Sequence, residues 1–215
     1  IRGLVGSEMC IRDSIKYMKR CIELATRGIR NTYPNPMVGC IIVHNNKIIG
    51  EGYHEAYGSN HAEVNAINSV INQDLLSMST LYVNLEPCNH FGKTPPCTKL
   101  IIDKGIKNVI IGSRDPNSLV KGGGINTLIS SGCNVEHGIM KDKCDKLNKR
   151  FFTFHNQRRP YVILKWAESK DGFISPRKSD RNEQDIFWIS NEQSKKMSHY
   201  FSCLLYTSPS PRDRV

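Results

Sequence analysis

The chain has 215 residues, enough for one domain of about 150 residues and part of a second. Apolar residues make up 39% and charged residues 23% of the sequence, which excludes a disordered or low-complexity chain. The 30 lysines and arginines exceed the 20 acidic residues, so the net charge is +10. The basic residues are dispersed rather than concentrated in a stripe. The charge therefore favours an ordinary solvated surface over a nucleic-acid interface, and it fits an anionic small substrate equally well.

The sequence carries no signal for a membrane or for export. Its longest apolar run, residues 37–43, is far too short to cross a bilayer, and no signal-peptide pattern opens the chain. We therefore expect a cytoplasmic protein that does not insert in a membrane. Its eight cysteines are then expected to be reduced thiols, most of them small buried side chains.

In chain order, the hydrophobic pattern alternates between helices and strands. Ser14 is expected to cap a first helix over residues 15–25, and Asn45 and Asn46 are expected to form the turn of a hairpin. The pattern predicts strands over residues 37–43, 48–50, 81–85, 109–111 and 134–137, and further helices over residues 61–70, 97–104, 125–131 and 141–154. This alternation predicts a layered α/β domain with a mixed, mainly parallel sheet after an opening hairpin.

The two ends of the chain differ from its middle. Residues 1–14 and 203–215 resemble translated sequencing-adapter sequence, and we expect both to be non-native extensions. The natural protein would then continue past this chain. We therefore place the first domain at residues 15–155, followed at 156–202 by a linker and the truncated beginning of a second domain.

The segment after the break at 156–160 is expected to begin that second domain. Its apolar runs predict strands at residues 161–167 and 186–189, and a helix is expected from residue 191. About 45 residues bury too little surface to form a stable α/β domain alone.

One histidine and two cysteines have the spacing of zinc ligands. His61 begins a predicted helix, and Glu63 follows two residues later. Cys88 comes after Pro87 at the end of a predicted strand, and Cys97 begins the next predicted helix. Three protein ligands leave a fourth zinc position for water, which is typical of a catalytic site. Glu63 would then act as general base and acid, and the helix dipole would favour the Cys97 thiolate.

Two other interpretations stay open at this point. A structural zinc site needs a fourth protein ligand, for which His90 is the one candidate. Alternatively, Cys88 and Cys97 are ordinary thiols of the core, and the His-x-Glu element has no role in chemistry. The number of protein ligands on the metal discriminates a closed structural site from a catalytic one.

The segment over residues 86–97, Glu-Pro-Cys-Asn-His-Phe-Gly-Lys-Thr-Pro-Pro-Cys, closely resembles the zinc motif of the bifunctional riboflavin-biosynthesis deaminase–reductase family. The other segments that match this family in order and spacing are 34–39, 50–54, 61–66 and 115–117. Those that resemble the beginning of its reductase domain are 165–172 and 188–190. Two positions depart from the family pattern: three glycines at 122–124 replace a Gly-Arg-Gly segment, and Lys170 replaces a leucine.

This resemblance implies a three-layer fold like that of cytidine deaminase, followed by the start of an α/β reductase domain. It implies His61, Cys88 and Cys97 as zinc ligands. Glu63 is implied as the catalytic residue. The residues that it implies as substrate contacts are Asn35, His54, His90, Lys93, Asp115 and Asn117. Those that it implies as a remnant of the reductase site are Lys165, Ser169, Asp171 and Trp188.

The implied reaction is zinc-dependent hydrolytic deamination of 2,5-diamino-6-(5-phosphoribosylamino)pyrimidin-4(3H)-one, with release of ammonia. NADPH is implied only for the full-length family, because the reductase half is expected to be incomplete here. The full-length protein is expected to be a homo-oligomer. Alternatives are a deaminase of a free base, nucleoside or RNA, and a non-catalytic zinc-stabilised module. Lys93 in the loop between the two cysteines favours a phosphorylated substrate.

Overall fold

The computed structural model describes residues 2–91, 95–117, 123–164, 166, 168–170, 172–173 and 190–203. The chain divides into two compact units, with the boundary between Tyr161 and Val162. Within the described residues, no helix combines the length and the apolar character that a membrane-spanning segment needs.

The first unit alternates between strands and helices, as the hydrophobic pattern predicts. Its strands are β1 (Gly39–His44), β2 (Lys47–Tyr53), β3 (Thr80–Leu85), β4 (Asn108–Ser113) and β5 (Asn134–His137). Its helices are α1 (Arg2–Thr26), α2 (Ala62–Asn68), α3 (Cys97–Asp103), α4 (Gly123–Ser130), α5 (Lys141–Leu147) and α6 (Lys149–Gln157), with a short 3-10 helix at Gln73–Met78. Asn45 and Asn46 form the predicted hairpin turn, with positive φ angles of 46° and 59°.

The five strands form one sheet in the order β2-β1-β3-β4-β5. Strand β1 is antiparallel to both β2 and β3, whereas β3 is parallel to β4 and β4 is parallel to β5. The predicted mixed sheet with an opening hairpin is confirmed. Parallel pairs account for half of the pairings rather than most of them, because β3 runs antiparallel to the hairpin strand that it joins.

The two faces of the sheet bury two separate sets of apolar side chains. Because successive side chains of a strand point to opposite faces, Leu81 and Val83 pack with residues of α2, α3 and α4, whereas Tyr82 packs with residues of α1 and α5. In β1, Ile42 belongs to the first of these sets and Ile41 to the second. The sheet therefore lies between two helical layers, and the predicted three-layer architecture is confirmed.

Two predicted helices differ from those in the structure. The first begins at Arg2, so Ser14 does not cap it but lies buried inside it, hydrogen-bonded to Tyr82. The helix predicted over residues 141–154 is broken at Asn148, where φ is −104° and ψ is 27°. The reason for the break is tertiary, since the Asn148 side chain is hydrogen-bonded to Met37, which lies 111 positions away in the chain.

The described part of the second unit contains the helix α7 (Glu192–Cys203), which agrees with the helix expected from residue 191. The strand predicted at 161–167 is wrong for residues 161–164, which form no strand. A strand needs a neighbouring strand for its backbone hydrogen bonds, and the described residues of this unit include none. The run at 186–189 lies outside the described residues.

Candidate active site

The topology brings four chain segments to one edge of the sheet. The carboxyl ends of β3 and β4 lie side by side, with Leu85 opposite Ser113. Because β1 is antiparallel to β3, its first residue, Gly39, also lies at this edge, and so does Tyr53 at the end of β2. The segments that carry the predicted site residues extend from these strand ends. This explains how residues far apart in sequence meet.

The structure brings His61, Cys88 and Cys97 together, with their ligand atoms within 4.8 Å of one another. The Nδ1 atom of His61 lies 3.2 Å from the Cys97 Sγ and 3.5 Å from the Cys88 Sγ. Tetrahedral zinc with bonds of about 2.0–2.1 Å to nitrogen and 2.3 Å to sulfur requires a nitrogen–sulfur separation of about 3.5 Å. The donor set therefore fits a zinc ion.

Two helix starts position these ligands. His61 has an extended backbone (φ −71°, ψ 160°) and precedes the first residue of α2. Cys97 is the first residue of α3, and its backbone N–H donates to the Cys88 Sγ at 3.3 Å. The next amide, that of Thr98, donates to the Cys88 carbonyl at 3.2 Å. The first turn of α3 thus supplies one ligand and holds another.

The Cys88 thiolate is stabilised by hydrogen bonds from its neighbours, among them the backbone N–H of Cys97 at the start of α3. Hydrogen bonds from the Cys97 thiol, from His61 and from the Cys97 amide hold the pKa of Cys88 well below its usual value. The pKa of Cys97 is raised, because its thiol is hydrogen-bonded to Cys88 and is buried. The expectation that the helix dipole favours the Cys97 thiolate stays a prediction; the structure shows that the amide of Cys97 is directed at the Cys88 Sγ.

Glu63 lies beside the donor group without belonging to it. It is the second residue of α2 and is only 3% exposed. Burial, and then the nearby charge of Cys88, raise the pKa of Glu63 to about 7. A carboxyl group with a pKa in this range can both take up and release a proton near neutral pH.

The predicted fourth ligand for a structural site is not part of the group. Among the described residues the group comprises three donors, and the exposed His90 is not one of them. Lys93 lies outside the described residues. In the part of the chain that the structure describes, the donor set is therefore that of an open zinc site.

The partly buried Asn35 and the buried His54 form a hydrogen-bonded pair next to the candidate ligand His61. The Nδ1–H of His54 donates to the carbonyl of Asn60 at 3.0 Å, so its Nε2 accepts from the Nδ2 of Asn35 at 3.1 Å. Burial lowers the pKa of His54, which favours this neutral ring. The rings of His54 and His61 meet edge to face, with centroids 5.6 Å apart.

Asp115 and Asn117 form a tight turn after β4. The Oδ1 of Asp115 accepts the Asn117 N–H at 2.8 Å, a local bond that is typical of aspartate at turns. Asp115 is 8% exposed, and burial raises its pKa to about 6. This turn starts at the same sheet edge as Cys88.

A buried carboxylate that sequence reasoning missed connects this turn to the metal site. Glu86, which follows β3, is 4% exposed. Its Oε2 accepts the Asp115 N–H and its Oε1 accepts the Ile125 N–H of α4, each at 3.1 Å. The signal in the sequence was its position in the Glu-Pro-Cys segment, where an acidic residue follows a strand whose last five residues are buried. Glu86 thus binds both the turn after β4 and the start of α4, and holds them near the segment that carries Cys88.

The start of α4 packs against the segment that carries Cys88, and only glycine fits there. A Cβ atom on Gly124 would lie 2.1 Å from the backbone oxygen of Pro87. We expect Gly124→Ala to destabilise the domain by about 1–3 kcal/mol, because a backbone clash must be relieved by movement. Denaturant unfolding measures this change.

Gly123→Ala is the matched control, because its Cβ would first meet the flexible amide of Asn89 at 3.2 Å. Equal unfolding midpoints for the two variants would contradict the close approach of α4.

The predicted reductase remnant is largely outside the described residues, which include neither Lys165, Asp171 nor Trp188. Ser169 is described: its N–H donates to the Phe173 carbonyl at 2.8 Å, and the Phe173 N–H donates to its Oγ at 3.1 Å. Ser169 therefore closes a local turn.

The comparisons with known proteins assign this site to a class. Residues 11–113 match the family model of the cytidine and deoxycytidylate deaminase zinc-binding region, the class of zinc-dependent deaminases. The chain is 54% identical over 136 residues to the diaminohydroxyphosphoribosylamino-pyrimidine deaminase of Buchnera aphidicola subsp. Schizaphis graminum. The matched region covers 63% of this chain and 91% of that protein. The chain belongs to this family of deaminases of riboflavin biosynthesis, so the family predicted from the motifs is confirmed.

Longer relatives extend beyond the region that they share with this chain. The riboflavin biosynthesis protein RibD of Actinobacillus pleuropneumoniae is 44% identical over 195 residues, which cover 89% of this chain and 50% of that protein. The solved structure of Acinetobacter baumannii RibD, form 1, has a TM-score of 0.82 at 36% identity and covers 90% of this chain and 52% of that one. The chain spans about half the length of these curated relatives.

Proposed function

We propose that the first unit is a zinc-dependent hydrolase that deaminates 2,5-diamino-6-(5-phosphoribosylamino)pyrimidin-4(3H)-one. Water would replace the 2-amino group of the pyrimidine by oxygen and release ammonia. The observation that carries this proposal is the cluster of His61, Cys88 and Cys97, with the buried carboxyl of Glu63 beside it. The name of the Buchnera relative supports the choice of substrate.

The residues around the cluster account for the proton transfers of this reaction. Zinc, when bound by the three ligands, makes water acidic enough to serve as the nucleophile near neutral pH. Glu63 accepts a proton from the attacking water and passes it to a pyrimidine ring nitrogen. It then moves the second proton of that water, from the new hydroxyl group, to the amine, which leaves as ammonia while the hydroxyl oxygen becomes the carbonyl oxygen. Its burial supports this role, because a group with a pKa of about 7 exchanges protons in both directions.

The residues at the same sheet edge would hold the substrate. Asn35 and His54 lie on the β1–β2 side of the cluster, and Asp115 and Asn117 follow β4 on its other side. We propose that these four contact the pyrimidine and the ribose, and that His90 and Lys93 contact the substrate from the loop between the two cysteines.

The direct test is ammonia release from the phosphorylated pyrimidine by the purified chain, with its zinc content measured in parallel. We expect one zinc per chain and one ammonia per deaminated product. A zinc-loaded chain that releases no ammonia from this compound would contradict the proposal. Turnover of cytidine instead would favour a nucleoside deaminase.

Lys93→Ala is expected to impair the phosphorylated substrate far more than its dephosphorylated counterpart. Lys93 lies four residues before the ligand Cys97, and a hydrogen bond to a charged group contributes about 1.5–3 kcal/mol, or about 10–150-fold. The phosphate does not react, so the loss should fall mainly on KM. The measurement is kcat/KM for both substrates, with the exposed Lys99→Ala as control. Equal losses on both would show that Lys93 does not bind the phosphate.

Reductase activity is proposed only for the longer protein and not for this chain. NADPH use, homo-oligomer assembly and a cytoplasmic location stay predictions.

A further inference from the structure

Two buried asparagines bind the backbone of residues 34–39, a segment that leads into β1 and includes its first residue, Gly39; we call it the 34–39 loop. The Oδ1 of Asn148 accepts the Met37 N–H, and its Nδ2 donates to the Met37 carbonyl, both at 2.8 Å. The Oδ1 of Asn84 accepts the Gly39 N–H at 2.7 Å, and its Nδ2 donates to the same Met37 carbonyl at 3.2 Å. Four hydrogen bonds thus converge on two residues of the loop.

These contacts are costly to break because both asparagine side chains are buried. Asn84 is 0% exposed and Asn148 is 4% exposed. A buried backbone group that loses its partner is destabilised by more than an average hydrogen bond contributes. Removal of either amide would therefore release the loop from its present geometry or leave its peptide groups unpaired.

The break between α5 and α6 allows the contact between Asn148 and Met37. The backbone of Asn148 keeps its hydrogen bonds on both sides, to Cys144 at 3.4 Å and from Phe152 at 3.0 Å. The break therefore removes little backbone bonding, and the Asn148 side chain reaches Met37.

The other side of the 34–39 loop is bound to the candidate substrate site. The carbonyl of Val38 accepts the His54 N–H at 2.9 Å. The Nδ2 of Asn35 donates to the Nε2 of the same histidine at 3.1 Å, and His54 in turn donates to Asn60, the residue before the ligand His61. The loop is therefore held between the two asparagines on one side and His54 on the other.

We propose that Asn148 and Asn84 are positioning residues for the substrate: they hold the 34–39 loop in one geometry, so that Asn35 and His54 form a binding surface before the substrate arrives. The consequence for the reaction rests on the proposed function. A loop ordered in advance loses less conformational entropy on binding. In the described structure the side-chain hydrogen bonds of the two asparagines go to Met37 and Gly39 rather than to a candidate zinc ligand. Their effect is therefore expected on substrate binding rather than on the proton transfers.

The first test is Asn148→Ala, assayed for KM, kcat and zinc content. We expect KM to rise about tenfold or more, as expected when buried hydrogen bonds are lost, while kcat changes by less than about threefold and one zinc per chain is retained. Asn148→Asp keeps the acceptor for the Met37 N–H and loses only the donor, so we expect an intermediate KM. If the alanine variant does not fold, the KM of Asn148→Asp provides the test instead.

Two controls separate positioning from simple loss of stability. Asn156→Ala changes an exposed asparagine of α6 and should leave KM unchanged. Leu76→Ala removes a fully buried side chain at the opposite end of β3 and should lower stability without raising KM. If Asn148→Ala lowers stability as Leu76→Ala does and leaves KM unchanged, the positioning role is refuted.

A double variant tests whether Asn148 acts through Asn35. The losses in kcat/KM of Asn148→Ala and Asn35→Ala should be less than additive when combined, because both affect the same loop. Full additivity would overturn the proposal.

Amide hydrogen exchange tests the loop independently of activity. In Asn148→Ala the amide of Met37 should exchange faster, while the amides in the centre of β4 should not. Unchanged exchange at Met37 would overturn the proposal even in an active enzyme. A wild-type chain that releases no ammonia would instead contradict the proposed function, and the exchange result would still decide whether the two asparagines hold the loop.

Discussion

Glu63→Gln is expected to keep one zinc per chain and to lose turnover by about 10²–10⁴-fold, the usual contribution of a positioned proton-transfer group. The amide has the shape of the carboxyl group but cannot take up a proton from water. The buried position suits a neutral side chain, so stability should change little. Ammonia release by the zinc-loaded variant is the measurement.

Glu55→Gln is the matched control for this prediction. Glu55 is an exposed residue of the loop between β2 and α2, and its replacement should leave both zinc and turnover unchanged. Near-normal ammonia release by zinc-loaded Glu63→Gln would refute the role of Glu63 in proton transfer.

Cys97→Ser and Cys88→Ser are each expected to lose both zinc and detectable activity. A hydroxyl group is a poor zinc ligand, and the two thiolates balance the charge of the metal. Because metal binding also stabilises the folded state, the thermal midpoint of each variant should fall toward that of the wild-type chain treated with a chelator. Metal analysis and thermal unfolding measure the two effects.

Cys133→Ser is a suitable control, because Cys133 is a buried thiol outside the donor group whose Sγ donates to the Ile106 carbonyl. A hydroxyl group can make the same bond, and zinc should be retained. If Cys97→Ser kept one tightly bound zinc per chain, these ligands would be wrong.

The break at Asn148 shows why sequence patterns did not predict every element. Residues 141–154 have an uninterrupted helical pattern, and a local signal predicts one helix. The break depends on the bonds between Asn148 and Met37, which are 111 positions apart in the chain. Hydrophobic periodicity reports which face of a segment is buried, and it contains no information about such a distant hydrogen bond.

The two cysteines illustrate the same limit at the site itself. Their residue types and spacing indicated zinc binding. Which groups donate hydrogen bonds to each sulfur depends on the fold, which directs the Cys97 amide at the Cys88 Sγ. Glu86 was likewise visible only as part of a motif, because its partners are the backbone N–H groups of Asp115 and Ile125, which no side-chain pattern reveals.

The sequence by itself determined the alternation of strands and helices, the family of the chain and the donor set of His61, Cys88 and Cys97. These depend on side-chain chemistry and on local periodicity, both of which can be read from residue types. Tertiary structure alone decided how β3 pairs with β1, where α5 ends, and which groups hold the 34–39 loop. These depend on backbone groups of distant segments, whose hydrogen bonds are satisfied only when the chain has folded.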